Sequence, residues 1–266
     1  MSTRALIGFV GLVAAIILGT WWYFKGHGMS TPVVAPGSTP AAPLGAATPA
    51  QPATTHPVPN SDEKSRAQES LPELAASDSS FVNALSGVVG EATTRAYLIP
   101  EDVIRHVVVT VDNLARQKVA LRKRPVGAVP GVLVVDGDEL SATLNENNYA
   151  RYQPMVEIVK NLNVARLGAV YFHFYPLFQQ AYQGLGYPNG YFNDRLVEVI
   201  DVMLATPQLS TPASLVRPNV LYEFADPALE RLAAGQKLLI RMGPRNAEIL
   251  KSKLRELRAA VTAAAP

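Results

Sequence analysis

Between Arg4 and Lys25 the chain runs ALIGFVGLVAAIILGTWWYF, 20 residues without a charge. As an α-helix rising about 1.5 Å per residue, such a segment measures about 30 Å, the thickness of a bilayer's hydrocarbon core. A cleaved signal peptide is the competing expectation, but its apolar region runs only about 7–15 residues and ends at small residues. This segment ends in Trp21, Trp22, Tyr23 and Phe24, whose amphipathic rings suit the headgroup level rather than a cleavage site. The expectation is a short tail over 1–4 and an uncleaved transmembrane helix over 5–24, with the lipid bilayer as its partner.

Charge gives the orientation only a slight lean. Arg4 and the α-amino group lie on the short side and Lys25 on the long side, and the next charge is Asp62. The positive-inside bias favours a cytoplasmic N-terminus, and the long flank carries little to resist export. The expectation is a single-pass protein of a bacterial inner membrane with its C-terminal domain in the periplasm; a cytoplasmic domain is the alternative.

Past the apolar segment the composition changes to Pro, Ala, Thr and Gly, with Pro32, Pro36, Pro40, Pro43, Pro49, Pro52, Pro57 and Pro59 closely spaced. Proline at this density withholds backbone donors and biases the chain to extended conformations, so no core forms from it. The stretch SDEKSRAQES continues as a charged lead-in to Ser70. Residues 25–70 are therefore expected to be a disordered Pro/Ala-rich linker.

The fold class expected over 71–266 is mainly α: one irregular helical domain with a few short extended segments. Asp78 to Gly90 reads as a helix capped by Asp78 or Ser79, followed by a second over Glu91 to Ile99. Pro100, Glu101 and Asp102 suit the first turn of a third helix, where a missing N–H costs nothing and carboxylates favour the dipole. Its core face is Val103, Ile104, Val107, Val108, Val111 and Leu114. Over 122–144 the period is lost in a proline-punctuated loop with one candidate strand at Val132 to Val135. Asn163 is placed to cap a long helix to Gly184, with Leu167, Tyr171, Phe174, Phe178, Ala181 and Leu185 on one face. A helix from Phe192 to Ala205, an extended VRPNVLYEF stretch, a short helix opened by DPALERL and a charged amphipathic helix from Pro244 to Ala264 complete the reading.

Several function classes are excluded or disfavoured. The chain has no cysteine, which removes disulfides, thiolate metal sites and cysteine nucleophiles. Net charge is +2; up to Ser70, Arg4, Lys25, Lys64 and Arg66 stand against Asp62, Glu63 and Glu69, so the domain carries +1 and no concentrated basic footprint for nucleic acid. No HExxH, GxSxG, Walker loop or dinucleotide fingerprint occurs, and only His106 and His173 fall in the domain. No cofactor and no metal are expected.

Three constellations remain. Asp102 and His106 lie one helical turn apart, in line with Thr110 and Asn113. A carboxylate so placed orients an imidazole for general-base work, although service at a helix terminus is the simpler role. In the GYPNGYFNDRLVEVID stretch, Asp194, Glu198 and Asp201 share a helix face with Arg195 alongside, near Tyr187, Tyr191 and Asn193. Paired carboxylates with split environments would suit acid and base catalysis on a glycan, and the aromatics would equally suit a binding surface. A solvated acidic face paired to bases elsewhere is the plainer alternative. In the C-terminal third, Arg217, Tyr222, Glu223, Asp226, Lys237 and Arg241 are scattered through apolar sequence, which calls for structural ion pairs or, less simply, an anion site.

The run TVDNLAR, the block GYFNDRLVEVIDVMLATP and the block LVRPNVLYEFADPALERLAAGQKLLIRMGPRNAEILKSKLRELR resemble the bacterial domain-of-unknown-function 3014 family. The likeness covers most of Leu71 to Ala260. It implies an N-terminal anchor, a Pro/Ala-rich stretch and one such domain in the envelope, and it carries no catalytic residues because the family has no assigned activity. The functional expectation is a membrane-anchored, non-enzymatic binding or scaffolding module with a protein or cell-wall partner. The alternative is a cell-envelope hydrolase that acts on glycan or peptide through the acids of 186–201.

Overall fold

The computed structural model of the chain describes residues 54–58, 71–138, 142–218 and 221–263. The expected 5–24 membrane helix and most of the 25–70 linker lie outside these residues. Among the described residues no helix is long and apolar enough to cross a membrane.

The domain is mainly helical. Helices α1 (Asp78–Val89), α2 (Glu91–Tyr97) and α3 (Val103–Leu114) come first, then strands β1 (Val135–Asp136) and β2 (Ala142–Leu144). Helices α4 (Asn147–Arg151), α5 (Gln153–Lys160), α6 (Val164–Gly184) and α7 (Phe192–Leu204) follow. Strands β3 (Ser214–Val216) and β4 (Glu223–Phe224) lead to α8 (Pro227–Glu230), α9 (Ala234–Met242) and α10 (Pro244–Thr262). Helix α6 runs through the middle; α3 packs on α6 and α7, and α10 packs on α5, α6 and α7.

The apolar periodicity produces the core as expected. Val103, Ile104, Val107, Val108, Val111 and Leu114 of α3 are all buried, as are Leu167, Tyr171, Phe174, Phe178 and Ala181 of α6. Leu185, expected on the same face, is exposed because the helix has already ended at Gly184. Phe81 of α1 meets Phe174 and Phe178 edge-on at 5.2 and 5.6 Å, and Phe178 stacks on Phe192 of α7 at 5.6 Å. Ring geometries of this kind add to the area term, so this aromatic knot joins three helices.

The helix ends depart from the local reading in an instructive way. Asn163 caps α6 as expected, its side chain accepting from the Arg166 amide at 3.0 Å. Asp78 does not cap its own helix. Its two carboxylate oxygens accept from the amides of Asp102 and Val103, at 2.8 and 2.9 Å, and so cap α3 from a distance. Pro100, Glu101 and Asp102 are not in the first turn of α3, which starts at Val103; Asp102 is left-handed at φ 50°. A carboxylate from α1 serves the free amides that a local cap would otherwise take.

The 122–144 stretch is more than a loop. β1, β2, β3 and β4 form a four-stranded antiparallel sheet in that order, pairing Val135 with Leu144, Ala142 with Leu215 and Leu215 with Phe224. The expected strand at Val132 to Val135 is displaced toward Asp136, and Val132 stands 68% exposed. Ala142, Leu144, Ala213, Leu215, Phe224 and Ile240 make a second, smaller core beneath the sheet. The buried Asn148 amide spans the Val134 amide and carbonyl at 2.9 and 2.6 Å, fixing the hairpin to α4. The turn from α9 into α10 rests on Gly243, at φ 85°, where a Cβ would come within 2.5 Å of the Tyr149 ring.

Five residues that composition assigns to the linker, 54–58, lie against the helical domain, and Val58 is buried in the main core. For these residues the expectation of an uncontacted spacer does not hold. The reason is the partner surface at the start of α7, which no local feature of the linker announces.

Candidate functional site

The start of α7 is assembled by contacts from the turn before it. Gln179 of α6 donates to the Gly190 carbonyl at 2.7 Å and accepts from the Phe192 amide at 2.8 Å, one of the amides that an N-terminus leaves unsatisfied. Gly190 is needed because a Cβ there would lie 2.9 Å from the Tyr182 ring. Tyr187 then stacks on Tyr182 at 4.6 Å. These contacts fix the direction of the α7 side chains.

Arg195 points at α3. Its Nε donates to Asp112 Oδ1 at 3.0 Å, its Nη2 to the Asp112 carbonyl at 2.7 Å, and its Nη1 pairs with Glu198 at 2.8 Å. Arg116 adds its Nε to Asp112 Oδ2 at 3.1 Å, and the Tyr187 hydroxyl donates to the same oxygen at 3.3 Å and is itself bonded by Arg116. The Asp112 side chain is 6% exposed and that of Arg195 14%, so two guanidinium groups surround a desolvated carboxylate. Charge balance and hydrogen-bond saturation make this a structural lock between α3 and α7.

Asn193 and Asp194 face the other way, toward residues 54–58. Asn193 is fully buried; it accepts from the Tyr171 hydroxyl at 3.0 Å, and its amide donates to the carbonyls of Val261 and His56 at 3.0 and 2.9 Å. Asp194 accepts from the amides of Thr55 and His56, at 3.0 and 2.7 Å, and from the Thr54 hydroxyl at 3.3 Å. Asp201, two turns further along, receives Nε and Nη2 of Arg258 at 2.6 and 3.0 Å. That guanidinium holds the Asp201 carboxyl below the usual carboxylate range against the opposing effect of partial burial.

The acids of the α7 face therefore part company. Asp194 serves the 54–58 backbone, Glu198 serves Arg195 and Asp201 serves Arg258, and none of them lines either of the described clefts. Tyr191 lies half-buried immediately before α7. Each acid of the expected glycosidase face is thus held by a partner of its own.

The Asp102 and His106 pair also fails to form. Asp102 pairs with Arg105 at 2.7 Å, and that hydrogen bond holds its carboxyl below the usual range. His106 Nδ1 is buried without a hydrogen-bond partner among the described residues, and burial, followed by the Lys123 charge, pushes the imidazole down. Thr110 and Asn113, on the same stripe, bond the carbonyls of Lys123 and Val109.

The charges of the C-terminal third gather around the small sheet. Lys237 donates to the Glu230 carboxylate and carbonyl at 2.6 and 3.0 Å, while the other carboxylate oxygen takes the Phe224 amide at 2.9 Å. Arg241 lies 4.5 Å over the Phe224 ring and Arg217 5.6 Å over Tyr222. Glu223 is half-buried on β4, and Asp226 caps α8 through the Ala228 amide at 2.7 Å. These contacts join β4, α8 and α9, and no cluster of three or more His, Asp or Glu side chains suited to a metal ion occurs among the described residues.

Residues 103–258 match the family described as Protein of unknown function (DUF3014). The chain belongs to that family. The DUF3014 region holds both sides of the Asp112 lock and, at the corner, Tyr171, Asn193 and Asp194; Val261 lies just after it, and Asp78, which caps α3, and residues 54–58, which fill the corner, lie before it. No curated protein and no solved structure matches the chain.

Asp112 and Arg116 are the polar residues that candidate-site reasoning passes over, although they sit in the TVDNLAR run that carries the DUF3014 resemblance. The available signal was an aspartate in the middle of a valine-rich helix, a placement that requires a partner.

Proposed function

We propose that this protein is a membrane-anchored envelope protein whose helical domain is a non-enzymatic binding or scaffolding module facing the periplasm. The observation that carries the non-enzymatic part is the dispersal of the candidate acids: Asp194, Glu198 and Asp201 each engage a different partner and share no cleft. A glycoside hydrolase of the usual kind needs two carboxyl groups flanking one scissile bond, about 5–10 Å apart, with substrate access between them. The anchor and its direction rest on the uncharged 5–24 segment, its aromatic end and the sparse charge that follows.

Two experiments test the reading. A C-terminal alkaline phosphatase fusion reports the compartment, and activity of that fusion is expected; a silent phosphatase with an active cytoplasmic reporter at the same position rejects the periplasmic domain. Crosslinking in intact membranes is expected to trap a reproducible protein or cell-wall partner. Recovery of nothing beyond the lipid background rejects the binding role.

A further inference from the structure

Residues 54–58, Thr-Thr-His-Pro-Val, meet the domain mostly through their backbone. The amides of Thr55 and His56 donate to the two oxygens of Asp194, and the His56 carbonyl accepts from Asn193. Three consecutive main-chain polar groups are thus read by two adjacent side chains of α7. Pro57 has no amide to satisfy, and Val58 enters the main core. Contacts of this kind recognise an extended chain with a proline and a branched aliphatic residue after the two amides, and they make little demand on the side chains at 55 and 56.

The receiving side is held by the domain. Asn193 is fully buried, its carbonyl oxygen is held by Tyr171, and one amide hydrogen is spent on Val261 at the end of α10. Only the second amide hydrogen is left for the peptide, and the His56 carbonyl takes it. Asp194 has no hydrogen-bond partner other than residues 54–56 among the described residues. It also stands in the first turn of α7, where a carboxylate suits the helix N-terminus, and the peptide amides complete its hydrogen bonding.

We propose that the Asn193 and Asp194 corner is a binding site for an extended peptide of the form x-x-Pro-Val with two free amides ahead of the proline, occupied in cis by residues 54–58 of the same chain. The inference rests on the reading of the domain as a binding module and names its ligand class. The cis segment holds the site at an effective concentration on the order of millimolar, as a short covalent connection does, so a peptide added from solution must displace it.

The test uses the full chain in detergent with a fluorescent peptide of residues 51–60, QPATTHPVPN, as probe. Val58→Asp should eject the cis segment and raise probe affinity about tenfold over the unmodified chain, the factor a millimolar internal competitor gives against a site of about 100 µM. Adding Asp194→Ala to Val58→Asp should abolish that binding. Because Val58 packs in the core, amide exchange in the unmodified chain supplies a second reading: protection at Thr55 and His56 is expected and should vanish in Asp194→Ala. Equal probe binding by the Val58→Asp and unmodified chains, with matching thermal melts, overturns cis occupancy. Probe binding or amide protection that survives Asp194→Ala overturns the site. Failure of the peptide assay with a partner still crosslinked in membranes removes this site and leaves the module reading; peptide binding with no membrane partner does the reverse.

Discussion

Truncation of Asp112 gives the most direct test of how the domain is held together. Its carboxylate is 6% exposed and receives Arg195 at 3.0 Å, Arg116 at 3.1 Å and Tyr187 at 3.3 Å. Removing one partner of a buried pair typically costs about 3–5 kcal/mol, because the remaining charge stays desolvated. Two features lower that figure here. Arg116 is half in water and rehydrates, and Arg195 keeps Glu198 at 2.8 Å and the Asp112 carbonyl at 2.7 Å. Asp112→Ala is therefore expected to cost about 2–3 kcal/mol, while Asp112→Asn, which keeps an acceptor and loses the charge, should cost about half as much. In urea, with a slope of about 2 kcal/mol per molar, the alanine variant should lower the unfolding midpoint by about 1–1.5 M. A double-mutant cycle with Arg195→Ala should return a coupling of about 1–2 kcal/mol. A loss under about 0.5 kcal/mol for Asp112→Ala, or no coupling to Arg195, would falsify the view that this network locks α3 to α7.

Three further outcomes follow from the geometry. His106 is pushed below its ordinary pKa by burial and then by Lys123, so the folded state binds fewer protons than the unfolded one just below pH 6.5. Stability should fall as pH drops through that window, and His106→Gln should flatten the dependence; urea midpoints with the same slope between pH 7 and 5 in both proteins refute it. Gly243→Ala combines a positive φ with a methyl group pressed to within 2.5 Å of the Tyr149 ring, and should destabilise by about 2–4 kcal/mol in thermal or urea unfolding. A cost below about 1 kcal/mol would show that the turn relaxes freely. Asp201→Asn weakens the bidentate contact to Arg258, but the two side chains are 48% and 40% exposed, so the urea midpoint should move by no more than about 0.25 M. A drop above about 0.5 M refutes that.

The helices and their core faces were legible because a 3.6-residue apolar period is a local signal: the burial of α3 and α6 can be read one residue at a time. What sequence left unread is long-range. Asp78 looks like a cap for its own helix and is one for α3, 24 residues away. The sheet joins 135–144 to 214–224, and strands this short carry almost no alternation to read. Helices α4 and α5 fall between an expected loop and an expected long helix, in segments of five and eight residues where periodicity has no room to declare itself. At the candidate site, the spacing of Asp194, Glu198 and Asp201 puts them on one helix stripe, but their partners cannot be read from it. A shared face did not make a shared function, since Thr55, Arg195 and Arg258 approach it from different directions.

The single amide of Asn193 bonds both His56 and Val261, so the front of the described chain and the last helix meet at one side chain. A pull on the chain ahead of Thr54 must load the 54–58 contacts before it reaches α1. The first element to yield under tension is then a small set of hydrogen bonds and one valine, and their release lengthens the path to Leu71 while every helix stays folded. Under tension applied ahead of Thr54, that corner acts as a mechanical fuse: it sets the force at which the strain begins to be felt by the core.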